Sequence, residues 1–197
     1  MAKVKLTKNE LKKQKEALKR FQRYLPTLML KKQQLQMVIR QVEAKVRELE
    51  KKRDELYEEF KQWIAVFGED AGIEELVKVK HIERETGNIA GVDIPVFKNL
   101  EFEDIRWDLF EKPYWLDRGV EAVKRIAAFD AEIEVLRKQL ELLAEELRIT
   151  TQRVNLFEKV MIPETKENIR RIQIYLGDQQ TAAVVRGKIA KNKIAQG

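Results

Sequence analysis

The stretch Leu25–Leu56, "LPTLMLKKQQLQMVIRQVEAKVRELEKKRDEL", places apolar residues three and four apart through an otherwise charged sequence. With heptad position a at Leu11, the a series continues Leu18, Leu25, Lys32, Ile39, Val46, Arg53, Phe60 and Phe67. Position d falls on Gln14, Phe21, Leu28, Leu35, Val42, Leu49, Leu56 and Trp63, so fourteen of the seventeen positions are apolar. A repeat of 3.5 residues is the signature of a coiled-coil seam. At 1.5 Å per residue, such a helix would extend roughly 85 Å. Pro26 occupies position b, on the outer face, where it should bend the helix or begin a fresh segment without disturbing the seam.

A second seam starts after Gly119. Ile126, Ile133, Leu140, Leu147, Val154 and Met161 take position a, and Phe129, Leu136, Leu143, Thr150 and Phe157 take d. Beyond Pro163 the apolar positions continue as Ile169, Ile172, Leu176 and Ala183, best fitted with a at Ile162, so the stripe slips by one residue at the proline. A helix that re-aims its seam there and continues with a kink is the expectation. Gly177 and Gly187 should weaken its last turns.

Between the seams the pattern changes. "VKVKHIER" alternates at period two, "ETGNIAG" is turn chemistry, and "VDIPVFKNLEFE" is a second extended run. Together they predict a β-hairpin with a loop somewhat longer than the tightest kind. Pro95 marks its second strand as an edge. A lone hairpin is marginal in water and needs support. Trp107, Phe110, Tyr114 and Trp115 follow, and two readings stay open for them: a mini-core beneath the hairpin, or a docking patch for a partner chain.

The expected fold is mainly α: a long antiparallel two-helix coiled coil with a small β-hairpin insert at the tip opposite the termini. Its parts are residues 1–70, the insert 71–118 and residues 119–197. A compact insert favours the intramolecular antiparallel pair over a dimer and brings both chain ends to one tip.

Composition narrows the function. The net charge of +6 is uneven: residues 1–25 carry +7 and residues 165–197 carry +5, leaving −6 for the middle. The chain has no cysteine and no serine, a single histidine at His81, and neither GxxxxGK[ST] nor GxGxxG. Thiol and serine nucleophiles are excluded, no cofactor or metal is expected, and catalytic residues are absent. No apolar run approaches the ~20 residues that span a bilayer, and the first residues lack a signal-peptide core, which predicts a cytoplasmic protein. The basic ends fit a solvated helix tip, a nucleic-acid contact, or insertion into a complementary protein cavity. No aromatic stacking platform accompanies them, which argues against nucleic acid.

"TTQRVNLFEKVMIPETKENIRRIQIYLGD" resembles the C-terminal signature of the D subunits of V/A-type ATPases, through Arg153, Val154, Asn155, Glu158, Val160, Ile162, Pro163, Ile169 and Ile172. The late "RGKIAK" and the opening "LTKNELKKQKEALKRFQRYL" are also similar to that family. The chain departs from it at "RYLPTLMLKKQQL" and at "QQTAAVVRGK", where the family shows a Gly-led stretch and an acidic run. The resemblance implies a non-catalytic central rotor shaft that couples ATP hydrolysis or synthesis mechanically to proton or sodium transport. It also implies partners: the catalytic and non-catalytic A and B subunits around the tip, the small F subunit of the stalk, and the C/d socket above the membrane ring. The shaft would be peripheral to the membrane, with no direct insertion and no nucleic acid. Lys12, Lys19, Arg170, Arg171, Arg186 and Lys188 would face the hexamer. The alternative is a stand-alone coiled-coil protein that binds nucleic acid or tethers.

Overall fold

The computed structural model describes residues 4–67, 76–105 and 113–196. Helix α1 spans Lys8–Phe67, strands β1 and β2 span Val79–Ile89 and Val92–Phe102, and helix α2 spans Leu116–Leu156. A π-helical turn, Phe157–Met161, leads directly into helix α3, Ile162–Gln196. The chain divides into two compact units, residues 33–148 and residues 1–32 with 149–197.

Helix α1 starts at an N-cap, Thr7. The Thr7 hydroxyl accepts the Glu10 backbone N–H at 3.2 Å, supplying one of the partners that a helix start lacks. From Leu11 to Phe60 every a and d position is buried or half-buried, and Pro26 is exposed. The helix neither stops nor restarts at Pro26. A proline on the outer face loses one hydrogen bond while the buried seam on the other side holds the helix together.

In the unit 33–148, α1 and α2 run antiparallel. Val46 and Leu49 pack on Ile133 and Leu136, flanked by Val42, Phe129 and Leu140. Ion pairs Lys45–Glu132 at 2.7 Å, Arg137–Glu50 at 2.7 Å and Arg53–Asp130 at 3.0 Å bracket that cluster. Exposed pairs add little stability, so their effect is to fix register. Arg53, a charged residue at a seam position, keeps its guanidinium solvated by spreading it over Asp130 and Asp54.

The hairpin does not simply cap the far turn of the helix pair; it lies along it. Near its base Val77 and Ile105 pack on Leu76, Trp115, Leu116 and Val120. Further along, the Lys124 ammonium sits 5.5 Å over the Phe102 ring. Arg84 then faces Glu134 at 4.0 Å, and the buried Gln139 amide donates to the Pro95 carbonyl at 2.5 Å. At the turn, Ile94 inserts between Leu35 and Leu143, all three almost wholly buried. Bulges between Val79 and His81 and between Glu83 and Arg84 interrupt the antiparallel register, and bulges add the twist a strand pair needs to follow a helix.

The turn is tighter than the sequence suggests. Ile89 pairs with Val92, leaving only Ala90 and Gly91, at φ 53° and 78°. Two left-handed residues in succession make the turn that matches strand twist. Asn88 supports it by accepting the Gly91 N–H at 3.2 Å and donating to Asp93 at 2.6 Å.

The unit formed by residues 1–32 and 149–197 is a second antiparallel pair. Phe21 meets Phe157 edge to face, with centroids 5.3 Å apart at 86°. Val4 and Leu6 lie in one groove with Val160, Pro163 and Ile172. The buried positions are Thr150, Val154, Thr165 and Ile172. Phe157 and Thr165 both face the seam eight residues apart, one more than a heptad allows. The π turn supplies that residue: the Ile162 N–H bonds the Phe157 carbonyl, five back instead of four. The one-residue slip read at Pro163 is therefore a π turn just ahead of it. The seam ends near Leu176; Ala183, expected within it, is exposed. Helix α3 passes through Gly177 and Gly187 without a break.

Candidate interaction surfaces

Charge and apolar exposure divide along the two units. Residues 1–32 and 149–197 carry twenty Lys and Arg against six Asp and Glu, a net +14, whereas residues 33–148 carry −8. Fourteen of the sixteen buried apolar residues among the described positions belong to the unit 33–148. Twelve of the seventeen large apolar side chains that are exposed belong to the other unit. They include Tyr24, Leu30, Val160, Ile174, Tyr175 and Ile189, and they lie off the seam. Single exposed apolar residues need no explanation, but their concentration on one basic helix pair makes this unit the candidate interaction surface.

The six basic residues assigned to a hexamer-facing surface, Lys12, Lys19, Arg170, Arg171, Arg186 and Lys188, are all exposed and all in this unit. Lys12 and Lys19 border a shallow depression with Leu11, Lys15 and Glu16. Arg171 Nε donates to Glu167 at 3.0 Å and Arg170 shares the same carboxylate at 4.0 Å, so those two are partly neutralised. Arg153, Asn155, Glu158 and Pro163 are exposed around the π turn. The heptad places off-seam positions outward but does not say what they meet, because it reports only the partner helix.

Of the four aromatics, Trp107 and Phe110, like the seam side chains Trp63 and Phe67, lie outside the described residues. Trp115 packs inward with Leu76, Leu116 and Val120, and Tyr114 is fully exposed beside it. His81 stands on the exposed part of β1. Among the described residues no group of His, Cys, Asp and Glu could hold a metal ion, and no helix is long and apolar enough to cross a membrane.

The model of the ATP synthase D-subunit family matches residues 10–192. The chain belongs to that family. It is 56% identical to the V-type ATP synthase D subunit of Borreliella burgdorferi over 194 residues, covering 98% of this chain and 96% of that one. It is 35% identical to the protein of the same name from Chlamydia pneumoniae, across 97% and 93% of the two chains. Membership makes it a component of a V-type ATP synthase, the central stalk of a rotary ATPase. Its described architecture of two helical seams and a hairpin is that of a coiled coil with a small insert.

Proposed function

We propose that the chain is the non-catalytic shaft of this complex, with the unit made of residues 1–32 and 149–197 enclosed by the hexamer of A and B subunits. The observation that carries this reading is the joint segregation of charge and exposed apolar area. A pair with Val154 and Ile172 as its buried apolar residues, twelve exposed large ones and a charge of +14 gains most from a partner that covers its flanks. Mechanical coupling then follows from stiffness. Residues along the seam bury apolar area, each worth about 1.5–3 kcal/mol before ordering costs, so neither helix can turn without its partner. Lys12, Lys19, Arg170, Arg171, Arg186 and Lys188 face the hexamer as diffuse positive charge, which attracts an acidic lining without fixing one orientation. The small F subunit of the stalk and the C/d socket engage the remainder of the chain, with Tyr114 an exposed anchor for the former. The protein is peripheral to the membrane and acts without cofactor or nucleic acid.

The absence of native cysteine makes the test direct. Single cysteines at Lys19 and Arg186 should cross-link to the A or B subunits in the assembled ATPase and block ATP-driven ion transport. Assembly with no cross-link from either position would refute the enclosure.

A further inference from the structure

The π turn holds one more residue than the α-helix on either side of it. Such an extra residue can travel along a helix, because each step transfers one hydrogen bond between neighbouring amides. Here both directions are obstructed. A step toward the C-terminus needs the N–H of residue 163 to take the carbonyl five back, at Glu158. Residue 163 is proline and has no N–H. A step toward the N-terminus would turn Phe157 out of the seam and break its edge-to-face contact with Phe21 at 5.3 Å. Thr165, buried in the seam, also donates its hydroxyl to the Met161 carbonyl at 2.6 Å, tying the last residue of the π turn to the helix beyond.

We propose that Pro163 is a register lock, which pins the π turn at Phe157–Met161 so that the seam from Ile162 to Leu176 cannot slide against α1. The seam itself requires the extra residue, since Thr165, Ile169 and Ile172 face inward only after the slip. The proline does not create the turn; it keeps the turn from wandering. In a shaft the distinction matters, because each residue that a wandering extra residue passes is turned by about 100°, out of the seam, which loosens the grip of α3 on α1 and dissipates torque locally. This consequence rests on the shaft reading; the lock itself does not.

Two variants of the full chain test it by amide hydrogen exchange. Replacing a mid-helix proline normally restores a hydrogen bond and slows exchange. The lock makes the opposite prediction: Pro163→Ala should accelerate exchange across Ile162–Glu167 by about tenfold or more. Deleting Val160 in the Pro163→Ala chain removes the extra residue and gives an uninterrupted heptad, so slow exchange should return. Unchanged or slower exchange in Pro163→Ala overturns the lock, as does fast exchange that survives the deletion. In the assembled ATPase, Pro163→Ala should lower ions moved per ATP while hydrolysis continues. Accelerated exchange with full coupling would uphold the lock and remove its part in torque transfer.

Discussion

Replacing Ile94 by alanine tests whether the hairpin is a structural member of the helix pair or an appendage. Ile94 is 1% exposed and sits between Leu35 and Leu143, each at 0%. The change removes three carbons, about 2.4 kcal/mol of transfer free energy at about 0.8 per group. Three nearly sealed neighbours leave little room for collapse, so a cavity penalty adds to this and the total should reach about 3–4 kcal/mol. For a chain of this size that lowers the midpoint by roughly 6–16 °C.

Where the loss appears is more telling than its size. If the hairpin is docked as described, amides of Leu35–Val42 and Gln139–Leu147 should lose protection together with those of β1 and β2. Leu143→Ala should weaken the hairpin in return. Because the two side chains share one cavity, the double variant should cost less than the sum by about 1 kcal/mol or more. A loss confined to residues 79–102, or full additivity, would refute the docking.

Three further outcomes follow from local geometry. Gly91→Ala should cost about 1–2 kcal/mol because residue 91 holds φ 78°, whereas Ala90→Gly at φ 53° should be close to neutral; urea unfolding monitored through the hairpin separates them. Thr7→Ala removes the oxygen that accepts the Glu10 N–H and should cost about 1 kcal/mol, seen as faster exchange in the first turn of α1. Glu48 and Glu145 are held below the ordinary carboxylate value of 4.5, chiefly by hydrogen bonds from Lys52 and Arg148. A depressed folded-state pKa gives stability that is present above the unfolded value and is lost as pH falls through the folded one. Carboxyl resonances of both residues should therefore titrate below 4.5, with an effect that shrinks in salt because both pairs are exposed.

The seams were legible because burial on a helix is periodic, and a mostly apolar stripe running through so charged a sequence has to be facing something apolar. Lys32 and Arg53 break the stripe yet keep their places, Arg53 by reaching Asp130 and Asp54. The hairpin was legible as a hairpin, but its position was not. The turn does fall within "ETGNIAG", but only its last two residues, Ala90 and Gly91, make it, while residues 85–89 are paired as strand. Gly87 is a strand residue whose added Cβ would meet Val96 Cγ2 at 2.9 Å, so its smallness serves packing within the sheet. The slip at Pro163 was visible as phase but not as hydrogen bonding, since a skipped residue looks the same in sequence whether a kink, a loop or a π turn absorbs it. Ala183 was misplaced for a simpler reason: with Phe21 opposite Phe157, the described start of the chain lies opposite Ile172, and α3 runs on past its partner.

The apolar residues that fit no seam carry the information the heptads lack. On α2, Ala131, Val135 and Leu142 lie outside positions a and d, and a reading confined to the helix pair treats them as surface. Ala131 and Val135 are buried; Val135 borders Pro95, and Leu142 packs in the cluster of Ile94, so a third element explains these last two. On α3, Ile174, Val185 and Ile189 are off-seam in the same way and are 49–55% exposed. One signature in the sequence thus has two outcomes in the structure. Where the chain supplies the third layer, the residues are buried; where it does not, they stay exposed, and the enclosure proposed above would supply the layer from another molecule. On the shaft reading proposed above that second case is what is required, because an enclosing wall could not be part of the chain that turns inside it.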